Sequence, residues 1–152
     1  MAEGDDSAEP ELTTIPEPRN ANGNAAPTDA TPGSLFVQGV CPDGWAVPTS
    51  GDYMVLFEVA GTTDKVKDSA KGWLPGYEGT EPNTGFNARG AGYYDNAVDR
   101  FMNLLGETYY WTSDKETDSN GTCIVISYHC ADGMVQDKDK GRCHSVRCIK
   151  VY

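Results

Sequence analysis

The chain is poor in basic charge and histidine and lacks long apolar runs. Its 152 residues hold 12 Lys and Arg against 23 Asp and Glu, with only two His, for a formal net charge of −11. Nucleic acid and anionic membrane surfaces are held by clustered Lys and Arg, so neither is an expected partner. No stretch approaches the roughly 20 consecutive apolar residues of a spanning helix, which excludes direct membrane insertion by that route. Met1–Gly23 has neither a basic start nor an apolar stretch and does not read as a secretory signal. A removed signal, another export route, or release by lysis, as for a phage virion component, are each compatible with that start. Five Cys is an odd number, so at least one thiol is free or joined to another chain.

The first 34 residues lack aromatics and cysteine altogether. They carry seven acidic residues and one basic residue, six of the eleven net negative charges, and five of the nine prolines. Such a segment buries too little apolar surface to offset its ordering entropy. It is expected to be an extended acidic arm, and residues 35–152 the folding unit.

What the folding unit does contain reads as α+β. Thr49 with Asp52 three residues later resembles a capping box, and Tyr53, Leu56, Phe57 and Ala60 make one apolar helical face that stops at Gly61. A short strand is expected at Leu35–Gln38. Loop follows over 62–85, then short strands at Phe86–Ala88 and Ala91–Tyr94, and a short helix over Asn96–Leu105 from the spacing of Val98, Phe101, Met102 and Leu105. Thr108–Ser113, Cys123–His129, Met134–Lys138 and His144–Val151 read as strands of a small twisted antiparallel sheet, with a polar loop over Asp114–Gly121.

Five ordered motifs go further. Cys41-Pro-Asp-Gly-Trp45 with Val47-Pro48-Thr49, the run Lys65–Trp73, Gly85–Tyr93, Tyr110-Trp-Thr-Ser113 and Ser145-Val-Arg-Cys148 resemble, in order, landmarks of the Fibrobacter succinogenes major paralogous domain family. The resemblance covers roughly residues 36–152. The family's usual aromatic lead-in before the first Cys is missing. The resemblance implies a C-type-lectin-like fold and a surface-displayed recognition or adhesion module, common in gut Bacteroidetes, with no catalytic activity. It also implies a disulfide between Cys41 and Cys148. The long C-type-lectin pattern adds Cys123–Cys143, which leaves Cys130 as the free thiol. Cys130–Cys143 is the rival second bridge, and five reduced thiols the bland alternative.

Each candidate site has an ordinary role as its alternative. Asp114, Glu116, Asp118 and Asn120 place oxygens at alternating positions, with Asp132, Asp137 and Asp139 on the neighbouring hairpin, a pattern able to hold calcium. An ordinary solvated loop is the simpler reading, so no cofactor is expected. Glu81-Pro82-Asn83 matches a sugar-binding lectin tripeptide but stands some 40 positions from Cys123, so coincidence is the better account. His129, Cys130, Cys143 and His144 lack structural zinc spacing. Trp45, Trp73 and Trp111 sit at family landmarks and are expected to be structural. Tyr110 and Tyr128 are expected to be the exposed aromatics that stack on a ligand.

The expected function is therefore a non-enzymatic domain that binds a glycan or protein receptor. Residues 2–34 dock it to a larger surface assembly, a phage virion or bacterial cell-surface structure, so the expected location is extracytoplasmic. Homo-oligomerisation is open. The alternatives are a capsid or fibre decoration, and, more remotely, a divergent enzyme of the formylglycine-generating type, for which no reactive thiol arrangement can be placed.

Overall fold

Thr49 opens the single α-helix among the described residues. The computed structural model describes residues 36–115 and 117–151, and the acidic arm lies outside them. Thr49 is extended and accepts from the Asp52 amide at 3.2 Å, while the Asp52 carboxylate accepts from the Thr49 amide at 2.8 Å. This is a complete capping box with Asp in place of Glu, and an Ncap of this kind contributes about 1 kcal/mol. Helix α1 runs Ser50–Ala60 and ends at Gly61, whose φ of 77° is costly for any side chain with a Cβ. Its inner residues Tyr53, Phe57 and Ala60 are buried.

A short strand and a 3-10 turn flank this helix in sequence. β1 is Trp45–Ala46, and the 3-10 turn is Thr63–Lys65. β2 (Tyr93–Asp95) and β3 (Arg100–Met102) form an antiparallel hairpin. β4 (Glu107–Lys115), β5 (Asn120–Ser127) and β6 (Met134–Asp139) form the central antiparallel sheet in the order β4-β5-β6. β7 (Arg142–Cys143) joins β2, and β8 (Ile149–Lys150) pairs with β1.

The central sheet is covered on both faces. Tyr110, Ile124 and Ile126 pack with Tyr53, Phe57, Ala60, Val66, Trp73 and Ala88 in one cluster. The alternating residues Tyr109, Cys123 and Val125 pack with Tyr93, Trp111 and Met134 in a second. A strand buried on both faces reads as a continuous apolar run, as Cys123–Ile126 does. The Cys41–Cys148 disulfide fastens the lead-in of α1 to the last strand region, with Cα atoms 5.9 Å apart. It closes a separation of 107 residues, and chain entropy puts the stabilisation from such a loop at about 4–5 kcal/mol.

Among the described residues the architecture is thus α+β, with one α-helix, small antiparallel sheets and a disulfide brace. Several local expectations differ. Residues 96–105 form a turn and β3, not a helix. Asp95 accepts from the Ala97 amide at 2.9 Å, and Asp99, Asn103 and Leu105 have φ of 53°, 56° and 64°, which no right-handed helix accommodates. No strand forms over Phe36–Gln38, Leu35 lies outside the described residues, and Trp45–Ala46 is the first strand among those described. Of the two strands expected over 86–94, Ala88 makes one isolated parallel bridge to Lys67, and a ladder begins only at Tyr93. The closing segment is not one strand. After β7 it touches β4 through Ser145, which exchanges backbone hydrogen bonds with Tyr109 and Trp111 at 2.9 Å, before β8 pairs with β1. The loop expected over 114–121 is shorter, because β4 continues through Lys115 and β5 starts at Asn120. Among the described residues no helix is long and apolar enough to cross a membrane.

Candidate functional site

Strand alternation correctly sets Tyr110 opposite Tyr109 and Trp111, but the opposite face is not open. Tyr110 is only 6 % exposed. It stacks on Tyr53 at 5.9 Å and meets the edge of Phe86 at 5.7 Å. Burial pushes its hydroxyl pKa up. Tyr110 is a core residue rather than a ligand contact. Trp45, by contrast, is exposed, while Trp73 is buried and donates its indole N–H to the Ala88 carbonyl at 2.8 Å.

The described residues of the oxygen-rich segment make separate contacts rather than one cluster. Asp114 is buried on β4, and its Oδ2 accepts from the Ser50 amide at 2.8 Å. Asn120 opens β5 opposite Asp139. The Lys140 ammonium donates to the Thr117 and Asp118 carbonyls at 2.8 and 3.1 Å, so the loop's acceptors already face a positive charge. Asp137 accepts from Thr122 Oγ1, and Asp139 from the Gly141 amide. Glu116 lies outside the described residues. Among those described, no group of three or more His, Cys, Asp or Glu is placed to hold a metal ion. Glu81 accepts from Ser69 and from both the amide and the side chain of Asn83, so this tripeptide is engaged within its own turn.

The expected Cys123–Cys143 bridge does not form. Cys123 lies on β5 facing the second core cluster, whereas β7 carries Cys143 to an exposed position beside Tyr94. Burial pushes the Cys123 thiol up to about 12, which makes it a poor nucleophile. Cys130 is unpaired as well, so the rival bridge is also absent and three thiols are free. His129 and His144 pack against different rings. His144 stacks on Trp111 at 4.1 Å, while His129 meets Tyr128 at 4.7 Å.

Tyr128 does lie at the surface, 36 % exposed, just beyond β5. Its backbone N–H donates to the Gly106 carbonyl at 2.8 Å. Its ring meets Tyr77 edge-on at 5.0 Å. Leu105, at φ 64°, accepts from the Leu74 amide at 2.9 Å, and Leu74 in turn accepts from the Tyr77 amide at 3.0 Å. These bonds gather the exposed side chains Leu74, Tyr77, Leu105 and Tyr128 at one end of the central sheet.

A polar chain runs beside them. His129 Nδ1 lies 2.8 Å from Ser127 Oγ, and Ser127 Oγ lies 3.4 Å from Glu107 Oε1. Asn103 Nδ2 donates to Glu107 Oε2 at 2.6 Å, and the Tyr109 hydroxyl donates to the same oxygen. Burial, then this contact with Glu107, raises the Tyr109 pKa. An ionised Glu107 only accepts, so the single Ser127 proton points to it. Ser127 must then accept from His129 Nδ1–H. Ser127 is fully buried and stands between acid and imidazole. A catalytic triad instead places the imidazole between the acid and an accessible hydroxyl, so these three residues do not stand in a triad's order.

A family comparison matches residues 13–150 to the Fibrobacter succinogenes major domain (Fib_succ_major). The chain belongs to the Fibrobacter succinogenes major domain family. No curated protein and no solved structure matches it. The family landmarks hold the fold together. Cys41 and Cys148 form the disulfide, Thr49 caps α1, and Lys67, only 1 % exposed, pairs with Asp64 at 2.9 Å and lies over Trp73 at 5.1 Å. The surface around Tyr128 lies largely between landmarks. Sequence reasoning named Tyr128 but missed Leu74, Tyr77, Asn103, Leu105 and Glu107: Leu74 meets Leu105 and Tyr77 meets Tyr128 across segments far apart in the chain, and the Asn103–Glu107 bond sits in an irregular turn, so neither leaves a periodic signal.

Proposed function

We propose that this family member is a non-enzymatic recognition domain of C-type-lectin-like architecture that binds a glycan or protein receptor through the surface around Tyr128. The observation that carries this reading is the exposed Tyr77–Tyr128 ring pair beside His129 and Asn103. Aromatic faces stack on sugar rings and anchor protein interfaces, and adjoining hydrogen-bonding groups orient the ligand. Glu107 engages Asn103 Nδ2 and leaves the amide oxygen of this exposed residue free to accept, while the exposed His129 ring adds a second polar group. Both can hydrogen-bond a ligand hydroxyl.

The test is a glycan array, and a binding assay on bacterial cells, with the full chain and its Tyr77→Ala and Tyr128→Ala variants. Loss of signal by about tenfold or more in each variant is expected for aromatic anchors. Binding that survives both substitutions rejects this surface.

Residues 2–34 are the proposed tether to a larger assembly, on a virion or a bacterial cell surface. Their acidity and proline content support an extended linker. Chain lacking residues 2–34 is expected to keep receptor binding and lose association with the assembly. A competing reading as a decoration or assembly subunit is favoured by the exposed apolar residues Val98, Phe101 and Leu104 around the β2–β3 hairpin. Polar substitution of Phe101 separates the two, since it would impair assembly and spare receptor binding.

A further inference from the structure

Helix α1 is apolar on both of its faces. Tyr53, Phe57 and Ala60 face the core, yet Met54, Val55 and Val59 are exposed, Val55 at 61 % and Val59 at 80 %. A surface helix ordinarily alternates an apolar stripe with a charged face, and one that is apolar all round is buried all round. Beside this outer face, between the end of α1 and the β5–β6 connection, lies an open cleft of about 410 Å³, lined by Met54, Phe57, Glu58, Thr62, Ala131 and Asp132 among others. Its floor is fixed. The Thr63 amide donates to the Ala131 carbonyl at 2.8 Å and Thr63 Oγ1 to the Cys130 carbonyl at 3.0 Å, while a Cβ at Gly133 would run into the Phe57 ring.

The electrostatics of the cleft have one sign. Neither Glu58 nor Asp132 makes an ion pair or side-chain hydrogen bond with a described residue. The last turn of α1 contains no basic residue, so the negative end of the helix dipole is uncompensated there. Apolar walls with a carboxylate at each side suit a side chain with an aliphatic stem and a cationic head.

We infer that the outer face of α1 and this cleft form a docking surface for a partner protein that presents Lys or Arg among apolar side chains. Two other occupants are disfavoured by charge. A second copy of the chain would bring a net charge of −11, and the chain's own residues 1–34 hold seven acidic residues and one basic residue. Like charges facing each other across an interface oppose association. This surface is separate from the Tyr128 surface in residues and in chemistry, and it does not depend on that reading.

The test uses the full chain, isotope-labelled for NMR, and an amidated six-residue peptide alternating leucine and arginine. Shifts confined to Met54, Val55, Glu58, Val59 and Asp132 are expected. The double reversal Glu58→Lys with Asp132→Lys should weaken binding about tenfold or more, as truncated charge pairs do at interfaces. Val55→Ser with Val59→Ser should weaken it while leaving the exposed site's fold intact. The control reversal Asp43→Lys should leave binding unchanged. The proposal is overturned if a leucine–glutamate peptide binds as well, or if Asp43→Lys weakens binding as much as the double reversal. It is equally overturned by a concentration-dependent dimer abolished by Val59→Ser, which seats a second copy there, or by nuclear Overhauser effects between Ile15 and Val59 methyls, which seat the chain's own arm.

Discussion

The Asp114 carboxylate accepts a 2.8 Å hydrogen bond from the Ser50 amide, 64 residues earlier in the chain. It ties the end of strand β4 to the first turn of α1, next to the Thr49–Asp52 capping box. An acidic side chain there also complements the helix dipole. Asp114→Ala leaves the Ser50 N–H buried and unpartnered, which should cost about 1–3 kcal/mol. Chemical denaturation of the variant checks this. Because Asp114 is committed to α1, millimolar calcium is expected to leave the melting temperature of the native chain unchanged.

Tyr110 and Tyr128 should separate cleanly by stability. Tyr110→Ala opens a cavity between Tyr53 and Phe86 and is expected to cost about 3–5 kcal/mol. Tyr128→Ala removes a ring that is partly solvated and should cost about 1 kcal/mol or less. Urea midpoints of the two variants measure the difference, and equal losses would remove the distinction between core and surface roles.

His144 makes the fold sensitive to acid. Burial first, then the positive charges of Arg142 and Lys138, lower its pKa from 6.5 to about 4. Neither ring nitrogen has a hydrogen-bond partner, and the ring is packed against Trp111, Tyr109 and Tyr93. The unfolded chain therefore binds a proton below pH 6.5 that the folded chain binds only near pH 4. Stability contributed by the neutral ring is present above pH 6.5 and is lost as pH falls between those values. Denaturation at pH 7, 5.5 and 4.5 should show this slope in the native chain and a shallower slope in His144→Leu, whose carboxylates are unchanged.

The free thiols should differ in reactivity. Cys143 is exposed, Cys130 is partly buried, and Cys123 is buried with its pKa pushed up to about 12. Native protein should be alkylated at Cys143 first and Cys130 next, with Cys123 reacting only after unfolding. Non-reducing peptide mapping should return Cys41–Cys148 and no other bridge. A Cys123–Cys143 peptide would mean that β7 does not lie where it is placed.

Much of this was legible in residue order because the physics involved is local. Thr49 and Asp52 are three positions apart, Gly61 supplies the left-handed stop, and the aromatic and β-branched runs over 108–113 and 123–127 read as strands whatever surrounds them. The family landmarks carried the Cys41–Cys148 pairing. Alternation could say that Tyr110 opposes Tyr109, since that follows from the two-residue repeat of an extended chain. It could not say that both faces of β4 are covered, because burial depends on what α1 and the β2–β3–β7 layer bring from elsewhere. For the same reason the hairpin at 93–102, the crossing of residues 144–151 between two small sheets, and the meeting of Tyr77 with Tyr128 were invisible in sequence. Each rests on hydrogen bonds or ring contacts between segments far apart in the chain, where the entropy of bringing them together is offset by the packed fold as a whole rather than by any neighbouring residue.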